Sequence, residues 1–207
     1  VPQKVKNSEA KDFANNVTEY IETDNIETIV NSIDFNGFYA YLMSTGEISC
    51  LSGDNNQVTL NNKNADYDTL ISYLDSLDNN SLEQTKELYG EKIYSSSDEF
   101  GINFEMDGIK YYKDLAIERL KDAIKYEIES NYVQKVEIKK ISNSSKTNIG
   151  EYVYACDVDA EITYMREGET KVYSGSNTVY ISNYGGQYSI IYADWLKDIC
   201  TRNNIAF

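Results

Sequence analysis

Acid–base chemistry in this chain would have to run on carboxylates and phenols, because its 207 residues include 34 Asp and Glu and 19 Tyr but no histidine. The missing imidazole removes Ser-His and Cys-His nucleophile pairs, HExxH zinc sites and the commonest general base at neutral pH. Cys50, Cys156 and Cys200 stand far apart with no CxxC spacing. They make neither a disulfide framework nor a zinc site without carboxylate help, although a single bridge among the three stays open. Neither a GxxxxGK(S/T) nor a GxGxxG loop occurs, so phosphate cradles of those types are excluded. The expectation is no cofactor and no metal.

The remaining groups of oxygens each have a plain structural reading. Asn62, Asn64, Asp66 and Asp68 repeat at every second position, as in a calcium loop, but the glycine and distal Glu of an EF-hand are missing. Asp66 and Asp68 are expected to cap the helix that begins at Tyr67. Asp157 and Asp159 alternate away from the apolar side of their strand and should face water. Tyr152, Tyr154 and Tyr164 point the other way, toward the helices, and are expected in the core with satisfied hydroxyls. Tyr39 lies in an aromatic run with Phe35, Phe38 and Tyr41 that should pack two helices onto a sheet. Tyr39, Tyr152, Tyr154 and Tyr164 are the candidates to line a pocket, for a ligand the sequence does not identify. Glu127 and Glu129, near the end of a long helix, are expected to be solvated. Glu99 and Glu105 flank apolar residues in a segment that the sequence does not place.

These residues are carried by a chain that changes period part-way along. Ala10, Phe13, Ala14, Val17 and Ile21 form the stripe of a first amphipathic helix, over 8–22. Asp24 with Glu27 is a capping-box pair that starts a short second helix through Ile33. Residues 38–42 fit strand or helix, and 46–64 read as a hairpin-like or irregular insert. Tyr67, Leu70, Ile71, Leu74 and Leu77 mark a third helix, and Ser81 with Gln84 a second capping box. Asp107-Gly108 reads as a turn. The longest helix is then predicted over 110–130, striped by Leu115, Ala116, Leu120, Ala123, Ile124 and Ile128. Beyond it the period falls to two. Residues 151–165 alternate, with Tyr152, Tyr154, Cys156, Val158, Ala160 and Ile162 predicted buried against that helix and Asp157, Asp159 and Glu161 wet. Arg166-Glu167-Gly168-Glu169 and Asn183-Tyr184-Gly185-Gly186 mark hairpin turns. Trp195, Leu196 and Ile199 follow in a short terminal turn or helix. The pattern specifies a single α+β domain over 1–207, with N-terminal helices packed on a C-terminal four-stranded antiparallel curved sheet. Residues 1–7 form a lead-in and 46–104 a partly helical insert.

The formal net charge of −15 decides against nucleic acid, whose phosphates require Lys and Arg. The densest basic cluster, Lys135, Lys139 and Lys140, is interleaved with Glu137. The abundant Asn, Tyr, Ile and Lys share AT-rich codons, so the tyrosines alone do not signal a sugar-binding surface. No transmembrane segment is present: the longest apolar stretch, Phe38 to Met43, is far short of the ~20 residues a spanning helix needs. The polar opening Val1-Pro2-Gln3-Lys4-Val5-Lys6, without an initiator Met, fits a chain from which a signal peptide or lipid anchor has been removed. An extracytoplasmic bacterial protein, secreted or membrane-anchored, is therefore expected. Its partner is an unidentified protein or small molecule, and a homodimer through the sheet is compatible with this reading.

Paired opening helices over 8–33, a long helix over 110–130 and strands over 133–192 make an order that resembles the cone-shaped fold of the nuclear transport factor 2-like superfamily. Tyr184-Gly185-Gly186-Gln187-Tyr188-Ser189-Ile190 looks like the tight hairpin before that family's last strand. The resemblance covers about two-thirds of the chain; residues 46–104 depart from it. It implies a cone that can hold a ligand, and in the family's isomerases an Asp base beside a Tyr donor. Fold alone does not fix activity. A non-catalytic binding or protein-interaction domain is the first expectation, because the strand most like the cone's wall carries no inward Asp or Glu. The alternative is a small-molecule isomerase or cyclase using Asp or Glu and Tyr in a cone-shaped pocket.

Overall fold

The computed structural model describes residues 3–4, 7–21, 26–45, 50–53, 56–59, 66–93 and 99–205. The cap expected at Asp24, the oxygens of Asn62 and Asn64, and the side chains of Glu99 and Glu105 lie outside them. In chain order the elements are β1 (Gln3–Lys4), α1 (Asn7–Ile21), α2 (Ile26–Asn31), α3 (Phe35–Ser44), β2 (Cys50–Gly53), β3 (Asn56–Thr59), α4 (Tyr67–Asn79), α5 (Leu82–Ile93), α6 (Glu99–Ser130), β4 (Val133–Lys146), β5 (Val153–Arg166), β6 (Glu169–Ser182), β7 (Ser189–Ala193) and α7 (Asp194–Arg202). The fold is α+β, with six of the seven described helices preceding an antiparallel meander, β4 to β7. The chain forms two compact units, one of residues 1–34 and 120–203 and one built mainly of residues 35–119.

The sheet unit has strand order β1-β4-β5-β6-β7. β5 and β6 pair without interruption from Val153↔Ser182 to Arg166↔Glu169. Their two-residue turn, Glu167-Gly168, has φ of 53° and 79°. Positive φ at both positions twists the hairpin in the same hand as its strands, and glycine makes the second position easy to adopt. α1 packs on β4, and α7 on β6 and β7. Residues 32–34 close the far edge of β7: the Ile190 amide donates to the Ser32 carbonyl and the Asp34 amide to the Ile190 carbonyl, both at 2.9 Å.

Alternation along β5 holds where the strand is covered and fails at its ends. Cys156 and Val158 are buried, while Tyr154, Ala160 and Ile162 are half-buried. Tyr152 is exposed, which corrects the expectation that it is buried: the strand begins one residue later, and Val153 is the buried residue there. Asp157, Asp159 and Glu161 are half-buried rather than freely wet, because side chains on neighbouring strands cover them. Asp157 accepts hydrogen bonds from Asn143 Nδ2 (2.7 Å) and Thr178 Oγ1 (3.0 Å), and Asp159 accepts one from Ser176 Oγ. Glu161 pairs with Lys139 at 3.2 Å.

The helical unit is densely filled. Phe38 and Tyr39 of α3 and Tyr67, Leu70, Tyr73 and Leu74 of α4 are all fully buried. Asp66 caps α4 by accepting from the Thr69 amide at 2.9 Å. The expected capping box opens α5, with Ser81 N donating to Gln84 Oε1 (3.1 Å) and Gln84 N to Ser81 Oγ (3.2 Å). Asp107-Gly108 is not a turn, since α6 runs through it from Glu99. One glycine costs a helix only about 1 kcal/mol, less than the burial of the next residue, Ile109, contributes. Residues 38–42 resolve to helix, and β2 and β3 pair antiparallel from Cys50↔Thr59 to Gly53↔Asn56.

Candidate functional site

The sheet unit has an open cavity of about 810 Å³ on one face of β4, β5 and β6. That volume lies within the range of small-molecule sites, ~300–1,000 Å³. Val136, Val158, Ala160 and Ile162 line it from the strands. Ile29 of α2, Ile128 of α6, and Trp195 and Ile199 of α7 line it from the helices. Burial grades along the lining: Val158, Val179, Ile190 and Ile199 are buried, whereas Tyr132 and Tyr173 are largely exposed and mark the open side.

The sequence places these groups by simple spacing. Val158, Ala160, Ile162 and Tyr164 share one face of β5 at period two. Trp195, Ile199 and Arg202 fall at i, i+4 and i+7 on α7 and so share one face. α7 is fixed to the sheet at its start: Asp194 Oδ2 accepts from the Thr178 amide (3.0 Å) and Asn177 Oδ1 from the Trp195 amide (2.9 Å).

Two carboxylates reach the cavity, Glu127 and Glu167. Glu127 is held in a fork by Arg202, whose Nε lies at 3.0 Å from one oxygen and whose Nη2 lies at 2.6 Å from the other. Asn203 Nδ2 adds a third donor at 3.1 Å. The Arg202 hydrogen bonds outweigh partial burial and hold the Glu127 carboxyl below its ordinary range, so it stays ionised and weakly basic. Among the described residues neither Glu127 nor Glu167 is hydrogen-bonded to a tyrosine. Glu127 had been expected to be solvated; the cation seventy-five residues away gives it a fixed partner instead.

Of the four tyrosines singled out from sequence, Tyr164 lines the cavity. Tyr154 stacks on Phe13 of α1 with ring centres 5.3 Å apart, and Tyr152 meets Tyr184 edge-on at 6.3 Å. Tyr39 is fully buried in the helical unit. Sequence reasoning missed Trp195, Arg202 and Tyr173. For the first two the i, i+7 spacing was the available signal, but nothing local connects Arg202 to Glu127.

Asp157 and Asp159 lie on the opposite face from the cavity. Asp159 and Glu161 border a shallow polar groove there with Lys139, Ser174 and Ser176. Cys156 and Cys200 are free buried thiols, each pushed up to about 12 by burial, so neither is a nucleophile at neutral pH. Among the described residues no group of three His, Cys, Asp or Glu is placed to hold a metal ion, and no helix is long and apolar enough to cross a membrane.

No family model matches the chain, and neither a curated protein nor a solved structure matches it.

Proposed function

We propose that the chain is a non-catalytic binding domain whose sheet unit holds an apolar small molecule in the cavity of β4, β5 and β6. The observation that carries this reading is the state of Glu127: the carboxylate best placed to act as a base is ionised and committed to Arg202 and Asn203. A general base needs a pKa near the working pH and a free lone pair aimed at the substrate, and Glu127 offers neither. Most of the remaining lining is aliphatic or aromatic, which suits desolvation of an apolar ligand more than proton transfer. Paired opening helices, a long helix and a meander around a hollow face also support kinship with the nuclear transport factor 2-like cone.

Trp195, the sole tryptophan, lines the cavity and reports on its occupant directly. Titration with 1-anilinonaphthalene-8-sulfonate should quench Trp195 saturably, and Ala160→Phe should weaken the quenching by narrowing the cavity. Absence of quenching in the unsubstituted protein would remove the cavity as a binding site. Incubation with a β,γ-unsaturated ketosteroid should give no isomerisation. Turnover that is lost in Glu127→Gln would replace this reading with the isomerase one.

A further inference from the structure

The sheet treats its edges unequally. β4 carries Lys135, Lys139 and Lys140, breaks register with β5 at three places, and is capped at one end by β1. Lysines and bulges are the usual protection against edge-to-edge pairing. The outer edge of β7 is closed by residues 32–34. β6 differs from both. β7 covers it only from Val179 to Ser182, and among the described residues its remaining length pairs with β5 alone.

The direction of its free groups can be read from Thr178, whose amide donates to Asp194 Oδ2 and hence points away from β5. In an antiparallel ladder the N–H and C=O of one residue face the same side, and the side alternates along the strand. The β5–β6 register has no break, so Ser176, Ser174, Val172 and Thr170 also turn their backbone groups outward. None of these four is bonded on that side to another described residue. The stretch has no proline and no bulge against β5, and Val172 and Tyr173 are 60% and 59% exposed. α7 stops it at Thr178 and the hairpin turn stops it at Gly168.

We infer that the 170–176 edge of β6 is a pairing surface for a second copy of this chain, joined antiparallel about a two-fold axis at Tyr173. In that register Thr170 faces the partner's Ser176 and Val172 the partner's Ser174, so all four outward residues of each copy are satisfied. Moving the register by one step of two residues leaves Ser176 opposite the partner's turn, or sets the partner's Thr170 against Thr178, whose amide is already taken. Residues 169–177 hold one Glu and one Lys in a chain of net charge −15, so the strip is locally neutral and two copies can pair along it without like charges meeting in the ladder. Tyr173 sits where the strands come closest, at a non-hydrogen-bonded pair with Cα atoms ~4.5 Å apart. Its ring already lies over Gly175, where a Cβ would approach Tyr173 Cε1 to 2.8 Å. Since Tyr173 lines the cavity, the partner's Tyr173 would stand beside the open side of each cavity.

Sedimentation equilibrium should find a reversible dimer that strengthens as salt screens the like charges. Ser174→Pro removes one outward donor and no bond to β5, so it should yield a monomer with unchanged near-ultraviolet circular dichroism. Tyr173→Cys should form, on air oxidation, a disulfide dimer whose cross-link maps to residue 173 in both chains, whereas Val172→Cys should not. A protein monomeric at millimolar concentration, or a dimer that persists in Ser174→Pro and gives no 173–173 cross-link, would overturn the proposal. A failed dye titration with an intact 173–173 cross-link would sink only the cavity reading.

Discussion

In the helical unit Phe38, Tyr39, Tyr67 and Tyr73 are fully buried, whereas in the sheet unit Ala160, Ile162 and Tyr164 stay half-buried around open space. The cavity set is no less apolar than the buried set, so hydropathy does not account for the difference. The difference lies in what faces each set. α3 and α4 fill each other's grooves, while the strands face α2, α6 and α7 across a gap. If the ~24 cal/mol per Å³ measured for dry, enclosed cavities applied, 810 Å³ would cost on the order of 20 kcal/mol. That exceeds the whole stability of a typical domain, ~5–15 kcal/mol. The cavity is therefore no dry void, and in this it differs from the filled helical core.

The comparison is broken most directly at Phe38. Phe38→Ala should destabilise the protein by about 3–5 kcal/mol in urea unfolding, as expected for a large side chain removed from a filled core. Equal losses from Phe38→Ala and Ile162→Ala would erase the distinction between the two regions.

Lys113 comes next. It is 1% exposed, and its ammonium bonds Asn36 Oδ1 (3.1 Å), both oxygens of Asp78 (3.0 and 3.1 Å) and Asp114 Oδ1 (2.8 Å). Lys113→Met leaves Asp78 partly buried without its main cation and should cost on the order of 3 kcal/mol. The pH response of this cluster is mixed. Burial would raise Asp78, but hydrogen bonds from Asn36, Lys113 and Lys110 prevail and lower it. Its contribution is present above the unfolded carboxyl value and fades as pH falls through its depressed folded value. Asp75 is raised, by burial first, so its contribution is present at low pH and fades as pH rises through its raised value. Asp75→Asn should therefore stabilise the protein at pH 7 relative to pH 3, read from paired melting curves.

Ile162→Ala should cost under about 1.5 kcal/mol, because the cavity already admits water, yet it should change affinity for 1-anilinonaphthalene-8-sulfonate measurably. Smallest of all is Arg202→Ala. A partly exposed pair contributes at most about 1 kcal/mol. With Glu127 depressed by Arg202, that contribution is present at neutral pH and disappears as pH falls through the folded Glu127 value. Substituted and unsubstituted melting temperatures should converge in acid.

Much of this was readable in the chain. Period-two alternation located β5, β6 and β7, and the Ser81/Gln84 pair marked a helix start to the residue. What local patterns could not reach were pairings over long separations. Glu127 and Arg202 meet across 75 residues, and Lys113 and Asn36 across 77. A weak signal for Lys113 existed: it occupies the same stripe as Ile109, Ala116 and Leu120, where a cation needs partners to be buried. Asp107-Gly108 misled because turn chemistry is a local preference, and the burial of Ile109 overrode it. Tyr152 misled because alternation does not say where a strand begins.

The burial of Lys113 gives the helical unit a clock. Amine-acylating reagents attack neutral, accessible amines, and Lys113 becomes accessible only when α3, α4 and α6 separate. Lys110, one turn earlier on the same helix, is partly exposed and reacts without such separation. The ratio of acylation rates at the two lysines, followed by mass spectrometry, therefore gives the frequency of local opening without any added label.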